Sequence, residues 1–153
     1  MLVGLAASPV RGDAPLGPPE VEAGVLPDGF AVDGVLDEAA WQTVPANDRF
    51  TQSDPVEGAA PSARTSVRVL AGAKALVIGV ECDDPEPDAI VSFSVARDAS
   101  LRSEDHLRIV LGPFLDGRSG YLFSVNPSGA RYDGLIEPGG EREDSNWDGI
   151  WEA

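Results

Sequence analysis

The chain has one cysteine, one histidine and one methionine in 153 residues, and 11 lysines and arginines against 26 aspartates and glutamates. Each shortage excludes something. A lone Cys82 cannot close an intrachain disulfide or supply a cysteine zinc site, and a lone His106 cannot build a catalytic triad or a histidine-rich metal centre. The deficit of positive charge leaves a formal net charge of −15 and a pI near 4.2. A phosphate backbone or an anionic membrane surface is repelled by such a protein, so nucleic acid is not an expected partner. No apolar run is long enough to span a bilayer as a helix, and no heptad or internal repeat is present. The length suits one domain with one core.

What is present begins with a short apolar stretch at residues 1 to 7, which reads as the remnant of a signal segment. A leader rich in proline follows, so residues 1–28 are expected to lie outside the folded domain and the protein to be exported, to the periplasm, outer membrane or extracellular space. A one-turn helix over Asp37-Glu38-Ala39-Ala40-Trp41 turns Trp41 inward, where its large apolar area leaves water.

Period-two alternation dominates the rest. In residues 63 to 70, Thr65, Val67 and Val69 fall on one face, expected inward, with Arg64, Ser66 and Arg68 outward. The turn at residues 71 to 74 makes a hairpin with a run in which Leu76, Ile78 and Val80 share the inward face. Cys82 closes that run as a partly buried, inert thiol. Beyond the proline-containing loop at residues 83 to 88, Ala89, Val91, Phe93 and Val95 form another expected inward set, with Ser92 and Ser94 outward. Residues 101 to 136 then read as a β-meander. Leu107, Ile109 and Leu111 point one way with His106 and Arg108 opposite, and Tyr121 and Phe123 continue the inward face. The turns are Asp116-Gly117 and Asn126-Pro127-Ser128-Gly129. Six or seven short strands at this spacing imply an all-β fold, an antiparallel β-sandwich of jelly-roll or immunoglobulin-like type. Residues 146 to 151 read as a turn entering a further strand whose partner is missing, so the domain at 29–153 is expected to be incomplete at its C-terminal side.

The ordered succession of signals carries a resemblance. It runs from Val32-Asp33-Gly34-Val35-Leu36-Asp37-Glu38-Ala39-Ala40-Trp41 through the strand at 64 to 69 and Asp84-Pro85. Asp105, Gly120-Tyr121-Leu122-Phe123 and Asn126-Pro127-Ser128-Gly129 follow. Together these resemble carbohydrate-binding module family 9 and related DOMON-like sandwiches. The stretch from Arg97-Asp98 to Trp147-Asp148-Gly149-Ile150-Trp151 is similar to a bacterial branch in which such a module precedes a large uncharacterised region, a candidate membrane barrel. The resemblance implies a non-catalytic module that binds carbohydrate, in the service of polysaccharide catabolism. The alternative is a docking or assembly domain for the barrel or another partner protein.

Candidate site residues follow from chemistry. Trp147 and Trp151 can stack on the apolar face of a sugar ring, and Arg97, Asp98, Arg131 and Asp133 can hydrogen-bond its hydroxyls or pair with one another. Asp83, Asp84 and Asp105 are the candidate ligands of a calcium ion, which takes six to eight oxygens; Pro85 and Pro87 account equally for their loop as a solvated turn. Many carboxylates do not amount to a glycosidase pair, and no enzymatic constellation is present.

Overall fold

The computed structural model describes residues 20–140 and 142–153. The signal-like stretch and the leader as far as residue 19 lie outside the described residues. Those described form an all-β, sandwich-like fold of seven strands in two sheets, in which the only helices are two short 3-10 turns. They divide into two compact units, residues 20–27 with 38–83, and residues 28–37 with 84–153.

The first unit holds β1 (Ala23–Val25), β2 (Thr65–Ala71) and β3 (Leu76–Cys82). The expected hairpin joins β2 to β3 and is closed by the Gly72 N–H on the Ala75 carbonyl at 2.9 Å. Strand β1 was not foreseen. It lies in the proline-rich leader and pairs parallel with β2, placing Gly24 opposite Leu70, so this sheet is mixed and not wholly antiparallel. Glycine suits that place because a Cβ there would collide with Val44. The 3-10 turn Ala39–Thr43 buries Trp41 as expected, and its indole N–H donates to Glu38 at 3.0 Å.

The faces of β2 carry a correction. Alternation is present, but Ser66 and Leu70 are the fully buried positions, at 1 % and 0 % exposure, while Val67 and Val69 are half-buried and Leu76 is exposed. Hydrophobicity names the two sides of a strand and not which is better covered. Here Val44 comes down on the Leu70 side. The buried Ser66 hydroxyl is satisfied by Glu81, its cross-strand neighbour, at 3.2 Å, and Arg68 meets the same oxygen at 2.7 Å. Arg68 and then Ser66 hold the Glu81 carboxyl below its ordinary range. Cys82 is exposed, not partly buried, because it ends β3 where covering neighbours run out.

The second unit is the meander: β4 (Leu107–Leu111), β5 (Gly120–Val125), β6 (Arg131–Ile136) and β7 (Glu143–Asp144), each antiparallel to the next. The turns use the chemistry their sequences suggest. Asp116 accepts the N–H groups of Arg118 and Ser119 at 2.8 and 2.9 Å, and Gly129 takes a φ of 81° to finish the second turn. The register puts Leu107, Ile109, Leu111, Tyr121, Phe123, Val125, Arg131 and Asp133 on one face. Gly120, Leu122 and Ser124, on the opposite face, are the buried members of β5, and Tyr121 and Phe123 are half-buried. His106 and Arg108 are exposed, as expected.

Residues 89 to 95 depart most from expectation. They join no ladder, and their orientation is reversed: Ser92 and Ser94 are half-buried while Val91, Phe93 and Val95 are exposed. The cause is polar. Glu104, 7 % exposed, accepts the N–H groups of Phe93 and Ser94 at 2.8 and 3.0 Å and the Asn126 amide at 2.9 Å. A buried carboxylate needs donors, and the three that converge on Oε2 of Glu104, whose Oε1 is buried without a partner, outweigh hiding two valines and a phenylalanine.

Candidate functional site

The meander face that carries Phe123 and Asp133 also carries a row of aromatic rings. Tyr121 stacks at a tilt on Trp147 with centroids 4.9 Å apart. Phe123 receives Trp147 edge-on at 5.9 Å and Trp151 at 5.2 Å, and Phe114 extends the row to Tyr121 at 6.0 Å. Residues 147 to 151 are not a strand, contrary to expectation. The chain turns at Ser145-Asn146, and the segment after this bend brings both tryptophans to one phenylalanine. The bend is an Asx turn in which Asp144 accepts the Asn146 backbone N–H at 2.9 Å, a bond that also lowers the Asp144 carboxyl from its ordinary range.

Asp133 organises the site. Its side chain is 1 % exposed, and its two oxygens accept three donors: the Arg97 guanidinium at 2.8 Å, the Trp151 indole N–H at 3.1 Å and the Gly149 backbone N–H at 2.5 Å. Arg97 also pairs with Asp148, and Asp98 lies 3.7 Å from its Nε. Asp98 adopts a left-handed φ of 63° and donates its backbone N–H to the Arg131 carbonyl at 2.8 Å. Arg131 donates to the Trp151 carbonyl at 3.0 Å, with its guanidinium 5.8 Å from the Trp151 ring centre.

All six residues expected to contact a ligand, Arg97, Asp98, Arg131, Asp133, Trp147 and Trp151, therefore meet in one place. Their roles separate. Asp133 is enclosed and fully engaged, so it fastens the bend to the sheet and is not open to solvent. Trp151 has committed its N–H to that fastening. The groups that face water are Asp148, whose side chain is 78 % exposed, Asp98, and the partly covered Arg97. Sequence reasoning passed over Asp148, although an acid beside glycine between two tryptophans is the available signal. It also treated Tyr121 and Phe123 as core alone.

Asp84 lies in the loop after β3, and Asp105 shortly before β4. The Asp84 carboxylate accepts the Glu86 N–H at 2.7 Å and that of Asp105 accepts the Val91 N–H at 2.8 Å. Among the described residues no three histidine, cysteine, aspartate or glutamate side chains come together in a metal-binding group.

No family model, curated protein or solved structure matches this chain.

Proposed function

We propose that this chain is a non-catalytic carbohydrate-binding module of an exported bacterial protein, serving polysaccharide catabolism beside a membrane-barrel region of the same polypeptide. One observation carries the reading: the half-buried indoles of Trp147 and Trp151 both pack edge-on against Phe123 on the meander, bordered by the solvent-facing Asp148, Asp98 and Arg97. A sugar needs both features. Its C–H face stacks on an aromatic ring, and its hydroxyls need donors and acceptors at the ring's edge. Burying roughly 100 Å² on one indole contributes about 2.5 kcal/mol. One further contact and a few hydrogen bonds bring the total to about −5.5 kcal/mol, a Kd of about 0.1 mM.

Titration calorimetry against a panel of neutral and acidic saccharides tests the reading. A soluble saccharide or cell-wall glycan should bind near that affinity without being hydrolysed. Trp147→Ala should weaken it about tenfold, and Arg118→Ala, on the turn after β4, should weaken it less. Failure of the folded protein to bind any member of the panel removes this reading and favours a docking or assembly role.

A further inference from the structure

The second unit displays apolar side chains where its own stability gives no reason to. Val91, Phe93 and Val95 are 46 %, 66 % and 78 % exposed, and the segment that bears them is held from behind. Val91 N–H donates to Asp105 and Val91 O accepts from Asp105 N–H, at 2.8 and 2.9 Å. Phe93 and Ser94 N–H groups donate to Glu104, the Asn126 amide donates to Ser94 O at 2.9 Å, and the hydroxyls of Ser92 and Ser128 meet at 2.8 Å. A segment this firmly bonded fixes the apolar row in an outward orientation.

Just before it, the carboxylates of Asp84, Glu86 and Asp88 are exposed, and among the described residues none is in an ion pair. A second copy of this chain is a poor occupant, because two proteins of charge −15 repel. Pairing by strand addition is also disfavoured, because the backbone N–H groups of Val91, Phe93 and Ser94 are already donated to carboxylates. We propose that Val91, Phe93 and Val95, with Asp84, Glu86 and Asp88 beside them, form a docking surface for a basic amphipathic peptide segment of a partner protein. The partner is held by side chains: apolar groups cover the valines and Phe93, and lysines or arginines face the acidic loop. This surface is separate from the tryptophan row and does not depend on sugar binding.

Fluorescence anisotropy with the labelled peptide Lys-Lys-Gly-Val-Thr-Phe-Thr-Val tests it, with Glu-Glu replacing Lys-Lys in the control. The lysine peptide should bind with a Kd of tens of micromolar, roughly 50 µM, more weakly as salt rises, and the glutamate peptide at least tenfold more weakly. Phe93→Ser and, separately, Val95→Ser should each weaken the lysine peptide about tenfold without lowering Tm, since both positions are exposed. The triple change Asp84→Asn, Glu86→Gln, Asp88→Asn should weaken it about fivefold and make the salt dependence shallower. Trp147→Ala should leave it unchanged. The proposal is overturned if the folded protein binds neither peptide or binds both equally. It is also overturned if Phe93 instead drives self-association in sedimentation or adsorption to phosphatidylcholine vesicles.

Discussion

The Trp151 indole N–H lies 3.1 Å from Oδ1 of Asp133, 18 residues before it in the chain, and joins an aromatic ring to the most enclosed carboxylate of the meander. The same carboxylate holds Arg97 and the Gly149 N–H, so it anchors the tryptophan-bearing bend to β6.

Asp133→Asn should therefore be more damaging than an isosteric change suggests. The amide leaves Arg97 without a buried countercharge and offers one acceptor oxygen where two are used. Because Arg97 is partly exposed, the loss is discounted from that of a fully buried pair, to about 2 kcal/mol. Urea denaturation followed by tryptophan fluorescence measures it. A loss below a few tenths of a kcal/mol, with an unshifted emission maximum, would show that the carboxylate does not anchor the bend.

Glu104 sets a pH dependence. Burial alone would raise its pKa, but hydrogen bonds from the Ser94 hydroxyl and backbone, the Phe93 backbone and Asn126 outweigh that and hold it at about 2, against 4.5 for the free group. Below 4.5 the unfolded chain binds the proton and the folded chain does not. The stability this group contributes is thus complete above pH 4.5 and is lost as pH falls toward 2. Denaturation midpoints measured from pH 6 to pH 2 should fall across that window. They should fall less steeply in Glu104→Gln, and parallel profiles would refute the assignment.

Gly149→Ala probes the fit of the segment beyond the bend. A Cβ there would lie 2.9 Å from Cη2 and 3.1 Å from Cζ3 of Trp147, and 3.3 Å from Oδ2 of Asp133. An indole packed on Tyr121 and Phe123 cannot yield as a flexible side chain would. The expected cost is about 1–2 kcal/mol with a changed near-ultraviolet dichroism of the tryptophans. An unchanged spectrum would mean that Trp147 is not packed as described.

Gly24→Ala asks the same of the first unit. The added methyl would collide with Val44 and approach Leu70 to 3.0 Å, displacing β1 from its parallel pairing at a cost of about 2 kcal/mol. Hydrogen exchange reads this directly: the amides of Ala71 and Leu26, which border the pairing, should lose protection while those of β5 keep it.

Strands β4, β5 and β6 of the meander were legible because they and the two turns between them are local. Leu107, Ile109 and Leu111 share a face, and the turn residues at Asp116-Gly117 and Asn126-Gly129 set the intervals, so β4, β5 and β6 stand where alternation places them. Residues 89 to 95 misled because their alternation is equally clean. Which face turns inward there depends on Glu104 and Asn126, which lie 10 to 32 positions further along the chain. Strands β1 and β7 are too short, at three and two residues, to show any period.

From the order of its residues alone the chain determined an all-β architecture, a strongly acidic surface and the positions of its tight turns, since each rests on neighbours within a few residues. Tertiary structure alone decided that Asp133 gathers Arg97, Gly149 and Trp151, and that Val91, Phe93 and Val95 face solvent. A buried carboxylate takes whichever donors the fold brings within about 3 Å. Those donors are distant in sequence, and no local pattern records them.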